Sequence, residues 1–179
     1  MTLATHAVVG ASLAELFPSH PVVAFSIGFL SHFILDALPH WDYKILSSYS
    51  NPDLAMEANN DKDGGIASQN LKPDRLFKLD ILHIGADASL GAALVIILWQ
   101  PHSLWQFFIL ALGAFGGILP DFLQFVYMRF PHQPMVAIQY FHHFMHAKSD
   151  LKSRPFIGIA SQIVVMAVAF VLVKYLIGL

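Results

Sequence analysis

From Phe156 to Ile177 the chain carries one amide, Gln162, and one charge, Lys174, in a run that is otherwise apolar apart from the hydroxyls of Ser161 and Tyr175. About 20 such residues wound as a helix cross the roughly 30 Å hydrocarbon layer of a bilayer. A helix bonds its own backbone groups where no water can, so this run predicts a transmembrane helix. Lys174 lies near one end, where its side chain can reach the interface.

Four further apolar runs precede it, at residues 3–17, 22–38, 80–99 and 104–119. The first two are short for a full span, so their ends are expected near the interface or inside the bundle. Ala4, Ala7, Gly10, Ala11 and Ala14 allow another helix to approach the first run closely. Pro18-Ser19-His20-Pro21 and Gln100-Pro101-His102 turn the chain between runs. Helical character is expected to resume through residues 122–130 after Pro120-Asp121. The expectation is an all-α, polytopic membrane protein: one domain over residues 1–179, about five transmembrane segments, a polar loop at 42–79 and a His-rich loop at 131–155. A charged fraction of 12% agrees, against about 25% in soluble domains.

Orientation follows from the cations. Lys44, Lys62, Lys72, Arg75, Lys78, Arg129, Lys148, Lys152 and Arg154 fall on the side of the two long loops, and Lys174 on the other. The positive-inside rule then places the amino terminus and both long loops in the cytoplasm. The amino terminus has no basic region of a secretory signal, so no targeting segment is expected to be removed. A net charge of −2 without a Lys/Arg-rich block gives no support to nucleic-acid binding.

With so few charges, those within apolar surroundings are candidates for function. In Ser31-His32-Phe33-Ile34-Leu35-Asp36-Ala37-Leu38-Pro39-His40-Trp41-Asp42, a continuing helix puts His32 and Asp36 on one face with His40 near its end. His83 and Asp87 form a second pair four apart, about one turn after Asp80. The stretch His142-His143-Phe144-Met145-His146 offers two imidazoles to one ion if it is helical. His6 and Asp121 complete the set, and the predicted topology carries all of these toward one side. There is no cysteine, so a metal must use imidazole, carboxylate, water or backbone oxygen. No His-Glu-x-x-His pattern is present. The candidate ligands are His6, His32, Asp36, His40, His83, Asp87, Asp121, His142 and His146, with Asp42, Asp87 and His143 as proton carriers. Such a set suits a divalent metal, zinc first and manganese or iron next, as one ion or as two sharing an aspartate. Each pair also fits a structural role: a polar contact between helices, a helix cap at Asp121, or a His-rich surface.

A weak internal two-helix repeat accompanies these residues. Residues 5–13, starting Thr5-His6, parallel residues 82–90, starting Leu82-His83, and Leu38-Pro39-His40 parallels Leu119-Pro120-Asp121. Parallel repeats would gather His6, His40, His83 and Asp121 around one axis.

Thr5-His6 with Gly10, Pro39-His40-Trp41-Asp42, the Gly-Gly-Ile-Leu-Pro-Asp ending at Asp121, and His142-His143 resemble marks of the bacterial inner-membrane family of membrane-bound metal-dependent hydrolases. More distantly the chain is similar to zinc-dependent phospholipase C helical proteins. Matched by position, the family's early Thr-His, its Pro-Asp after a glycine-containing helix and its later His pair fall on His6, Asp121 and His142 or His143. The chain departs in lacking an Arg-Gly-x-Thr-His stretch and in its polar insert at 42–79. The resemblance implies a metal-dependent hydrolase of the inner membrane, acting on a phosphoester or other ester of a lipid or amphiphile. The alternatives are a non-catalytic metal-binding or metal-transport protein, or a structural membrane protein with buried His/Asp pairs.

Overall fold

The computed structural model describes residues 1–43, 75–129, 132–147, 151 and 153–178. Most of the expected polar loop at 42–79, with Lys44, Lys62 and Lys72, lies outside the described residues, as do Lys148 and Lys152. Among the described residues the structure is all-helical: α1 (Leu3–Ala14), α2 (Pro21–Asp36), α3 (Arg75–Trp99), α4 (Leu104–Arg129), α5 (Met135–Met145) and α6 (Pro155–Leu176). Three stretches, Lys78–Trp99, Leu104–Tyr127 and Pro155–Leu176, are long and apolar enough to cross a membrane, and α1 and α2 are shorter apolar helices. This is a polytopic, multi-pass helical membrane protein.

The short α1 occupies the middle. It packs against α2, α3, α4 and α6, and α2 lies along α4. Two glycines of α4 set how near its neighbours come. A Cβ on Gly113 would collide with the carbonyl of Gly10, and one on Gly117 with the carbonyl of His6. Without a driving force between apolar helices and apolar lipid, such backbone-to-backbone contact is how membrane helices gain packing. Val8, Ala11, Val95, Trp99, Leu110 and Val173 then fill the space between α1, α3, α4 and α6. The Trp99 indole N–H donates to Ser12 Oγ at 3.2 Å, which leaves no polar atom of that ring in lipid. Lys174 lies over the Trp99 ring, 4.9 Å from its centroid, so the cation near the end of α6 is held by an aromatic face.

Three boundaries differ from the sequence reading. α3 begins at Arg75, ahead of the apolar run at 80–99. α4 continues through Pro120 to Arg129 instead of stopping at 119. A proline in a helix forfeits one bond, here to the Gly116 carbonyl, and neighbouring helices in a membrane bundle can satisfy the carbonyls left available. The His-rich stretch expected as a loop contains α5, and that changes how its imidazoles are presented.

Candidate metal centre

Asp36 is the last residue of α2, and its carboxylate is the hub of the site. It is 1% exposed. Its Oδ2 lies 3.1 Å from His32 Nε2 and 3.2 Å from His142 Nε2. Those two nitrogens are 3.2 Å apart, and each is 3.7 Å from Asp121 Oδ1. The four residues thus converge from α2, α4 and α5 on one point, with their ligand atoms all within 4.8 Å of one another.

Local structure explains each placement. His32 and Asp36 are one helical turn apart on α2, as their spacing predicted. His142 comes from α5, where it shares a buried face with Gln139 one turn before, and His146 follows as the residue that caps the helix. The end of α5 is tied to the end of α2, since Ala147 N–H donates to the Asp36 carbonyl at 2.7 Å and Leu151 N–H to the His40 carbonyl at 2.9 Å. Phe33 packs edge-on against Phe141, 4.9 Å between centroids, beside His142. A backbone carbonyl of α4 supplies the last constraint. His32 Nδ1–H donates to the Gly117 carbonyl at 2.8 Å, and that bond fixes the tautomer, leaving the Nε2 lone pair turned to Asp36 and His142.

These contacts test whether the residues fit a metal. Tetrahedral zinc with bonds of about 2.0–2.1 Å holds its ligand atoms about 3.3–3.4 Å apart. Five of the six edges here, 3.1 to 3.7 Å, bracket that value, and the sixth, between the two carboxylates, is within 4.8 Å. A single proton satisfies one pair of these acceptor atoms at a time, whereas one cation at their centre satisfies all four. The second nitrogen of His32 donates to a carbonyl, the outer support that metal-bound histidines commonly have. The buried His/Asp cluster is therefore capable of holding a divalent ion.

A second group surrounds the other oxygen of Asp36. His6 Nε2 lies 3.2 Å from Oδ1 and His40 Nε2 3.8 Å from it. His146 Nε2 is 3.9 Å from Oδ2, and Asp36, His40 and His146 also form a potential ligand group. The Met1 amino group is 2.7 Å from Oδ1. His6 is wholly buried and stacks on His32 at 4.0 Å; its Nε2 contact with Asp36 is poorly aligned for a hydrogen bond, and its Nδ1 has no hydrogen-bond partner among the described residues. His40 Nδ1–H donates to the Leu38 carbonyl at 2.7 Å, which leaves its Nε2 as the acceptor facing Asp36. Burial holds the His40 imidazole down to about 4 and lowers that of His146, so both are neutral near pH 7.

A cavity of about 500 Å³ opens beside the cluster. Asp121, His142 and His146 form part of its wall, with Asp42 and His143, and apolar side chains including Ile84 and Phe122 make much of the rest. Burial pushes the Asp42 carboxyl up to about 6. Of the sequence candidates, His6, His32, Asp36, His40, Asp121, His142 and His146 are brought together, and Asp42 and His143 face the adjoining cavity. Asp87 is elsewhere: its oxygens accept the Leu3 and Ala4 N–H groups at 2.7 and 3.1 Å, closing the start of α1. His83 is exposed on α3. The repeat therefore relates a buried member of the cluster, His6, to an exposed residue outside it.

Sequence reasoning missed the support for this arrangement. Gln162 Oε1 accepts from Thr2 N–H, Thr2 Oγ1 and Thr5 Oγ1 at 2.9–3.0 Å, and its Nε2 donates to the Trp41 carbonyl at 2.7 Å. One amide thus ties α6 to the start of α1 and to the residue after His40. The available signal was its isolation, as the only amide in the most apolar helix.

No family model, no curated protein and no solved structure matches the chain.

Proposed function

We propose that this protein holds a divalent metal, zinc by the match of ligand types and edges, inside its helical bundle. The supporting observation is the convergence of His32, Asp36, Asp121 and His142 with their ligand atoms within 4.8 Å. Elemental analysis of protein purified in mild detergent, without chelator or histidine tag, tests it. Near-stoichiometric metal is the expected result, and metal-free folded protein rejects the reading and leaves the cluster as polar contacts between helices.

The cavity favours a second reading, a metal-dependent hydrolase. A purely structural ion needs no open side, yet here Asp121 keeps 24% of its side chain exposed while its three partners are closed in. An ion there that took a fifth ligand from the cavity side would supply a Lewis acid and a water of lowered pKa. His32, Asp36, Asp121 and His142 would hold it, and Asp42 and His143 would exchange protons with whatever enters the cavity. Apolar walls suit the acyl portion of a lipid or amphiphile, with its ester or phosphoester toward Asp121. The cation distribution supports a cytoplasmic position for the amino terminus and the long loops, and the family resemblance supports the bacterial inner membrane. A screen of ester and phosphoester amphiphiles, with Asp121→Asn as the control, separates catalysis from binding alone.

A further inference from the structure

We propose that Asp36 bridges two metal ions, one on Oδ2 with His32, His142 and Asp121, the other on Oδ1 with His6 and His40. The inference rests on the metal-binding reading above and extends it to a second site. A carboxylate presents two oxygens, and here each faces its own imidazoles. His6 and His40 approach Oδ1 at 3.2 and 3.8 Å, whereas His32 and His142 approach Oδ2 at 3.1 and 3.2 Å. An ion on Oδ2 leaves the Oδ1 group unused.

His6 carries the argument. It is fully buried, its Nε2 lies 3.2 Å from Oδ1 without aligned hydrogen-bond geometry, and its Nδ1 has no hydrogen-bond partner among the described residues. Buried polar groups are almost always well partnered, and a cation between Nε2 and Oδ1 would satisfy both atoms where their direct contact is poorly aligned. His40 meets the same requirement from the opposite direction, because its Nδ1–H is committed to the Leu38 carbonyl and only the Nε2 lone pair faces Asp36. His146 packs against His40 at 4.8 Å between ring centroids and limits its rotation. The Met1 ammonium 2.7 Å from Oδ1 is itself a cation on this oxygen, so ammonium and metal are alternative partners there. Paired ions about 3.5–4 Å apart are the usual two-metal arrangement, and a bridging carboxylate suits that separation.

The test uses the full chain in mild detergent, stripped with chelator and reloaded with Mn(II). Two ions per chain and an exchange-coupled electron paramagnetic resonance spectrum are expected. His6→Asn should weaken the second equivalent at least tenfold and leave an uncoupled one-ion spectrum. His40→Ala, outside the helices, should do the same and serves if His6→Asn does not fold. One ion per chain with an uncoupled spectrum in the unmodified protein overturns the proposal and leaves the metal-binding reading standing, with ammonium as the partner of Oδ1. No bound ion overturns both.

Discussion

α1 and α6 are both apolar helices, but they solve opposite problems. α6 has 22 residues, and only Gly158, Gln162 and Val173 are buried, so most of its side chains are left to lipid. α1 has 12 residues, a rise of about 18 Å against a hydrocarbon layer of about 30 Å, and all but one of them are buried. A helix too short to span is sheltered by longer ones, and the sheltered position is where an ion site belongs. Hydropathy alone does not separate the two roles. The polar residues do, because Thr5, His6 and Ser12 of α1 are wholly buried.

The hardest test of that contrast is to remove the hub and compare it with a lipid-facing residue. Asp36→Ala should abolish metal binding and lower stability by about 3–5 kcal/mol, since a buried ammonium loses its counter-charge and four buried imidazoles lose the carboxylate they share. Val168→Ala on the exposed face of α6 should cost less than about 0.5 kcal/mol. Elemental analysis and thermal melting in the same detergent check both, and comparable losses would erase the distinction between sheltered and lipid-facing helices.

Glycines offer a finer comparison. A Cβ at Gly113 meets the backbone of α1, while one at Gly85 on α3 meets nothing within 4 Å. Gly113→Ala should therefore destabilise by about 1–3 kcal/mol through forced separation of α1 and α4. Gly85→Ala should stabilise by about 0.4–1 kcal/mol by restricting the unfolded chain. Opposite shifts in melting temperature are expected, and shifts of one sign would mean that α1 is not held by backbone contact.

How far the sequence carried the reading depends on whether a signal is local. The helices were legible because an apolar run and its turn residues specify a span without reference to anything else, and His32 and Asp36 because a turn of helix aligns them. The path of α4 past Pro120 was not, since a proline ordinarily ends a helix and only the neighbouring helices decide whether it continues. Nor was the division of labour among the acids. Asp36 and Asp87 each stand four residues after a histidine, yet one is the hub of the cluster and the other bonds the first amides of α1. Spacing along one helix cannot report what the neighbouring helix brings.

That difference between the two His/Asp pairs gives the smallest and most discriminating prediction. Asp87→Asn keeps an oxygen near the Leu3 and Ala4 amides but removes its charge from the positive end of α1, at a cost of about 1 kcal/mol. Metal content should be unchanged. His83→Ala, at an exposed position, should alter stability by less than about 0.5 kcal/mol and metal content not at all. Measured beside His142→Ala, which removes a ligand from the buried cluster and should empty it, the pair separates two patterns that are alike in sequence. If His83→Ala released metal as fully as His142→Ala, the ion would lie along α3 and the Asp36 cluster would be a polar contact. Retention of metal in His83→Ala and Asp87→Asn places the chemistry at the end of α2, where the shelter given to α1 has its purpose.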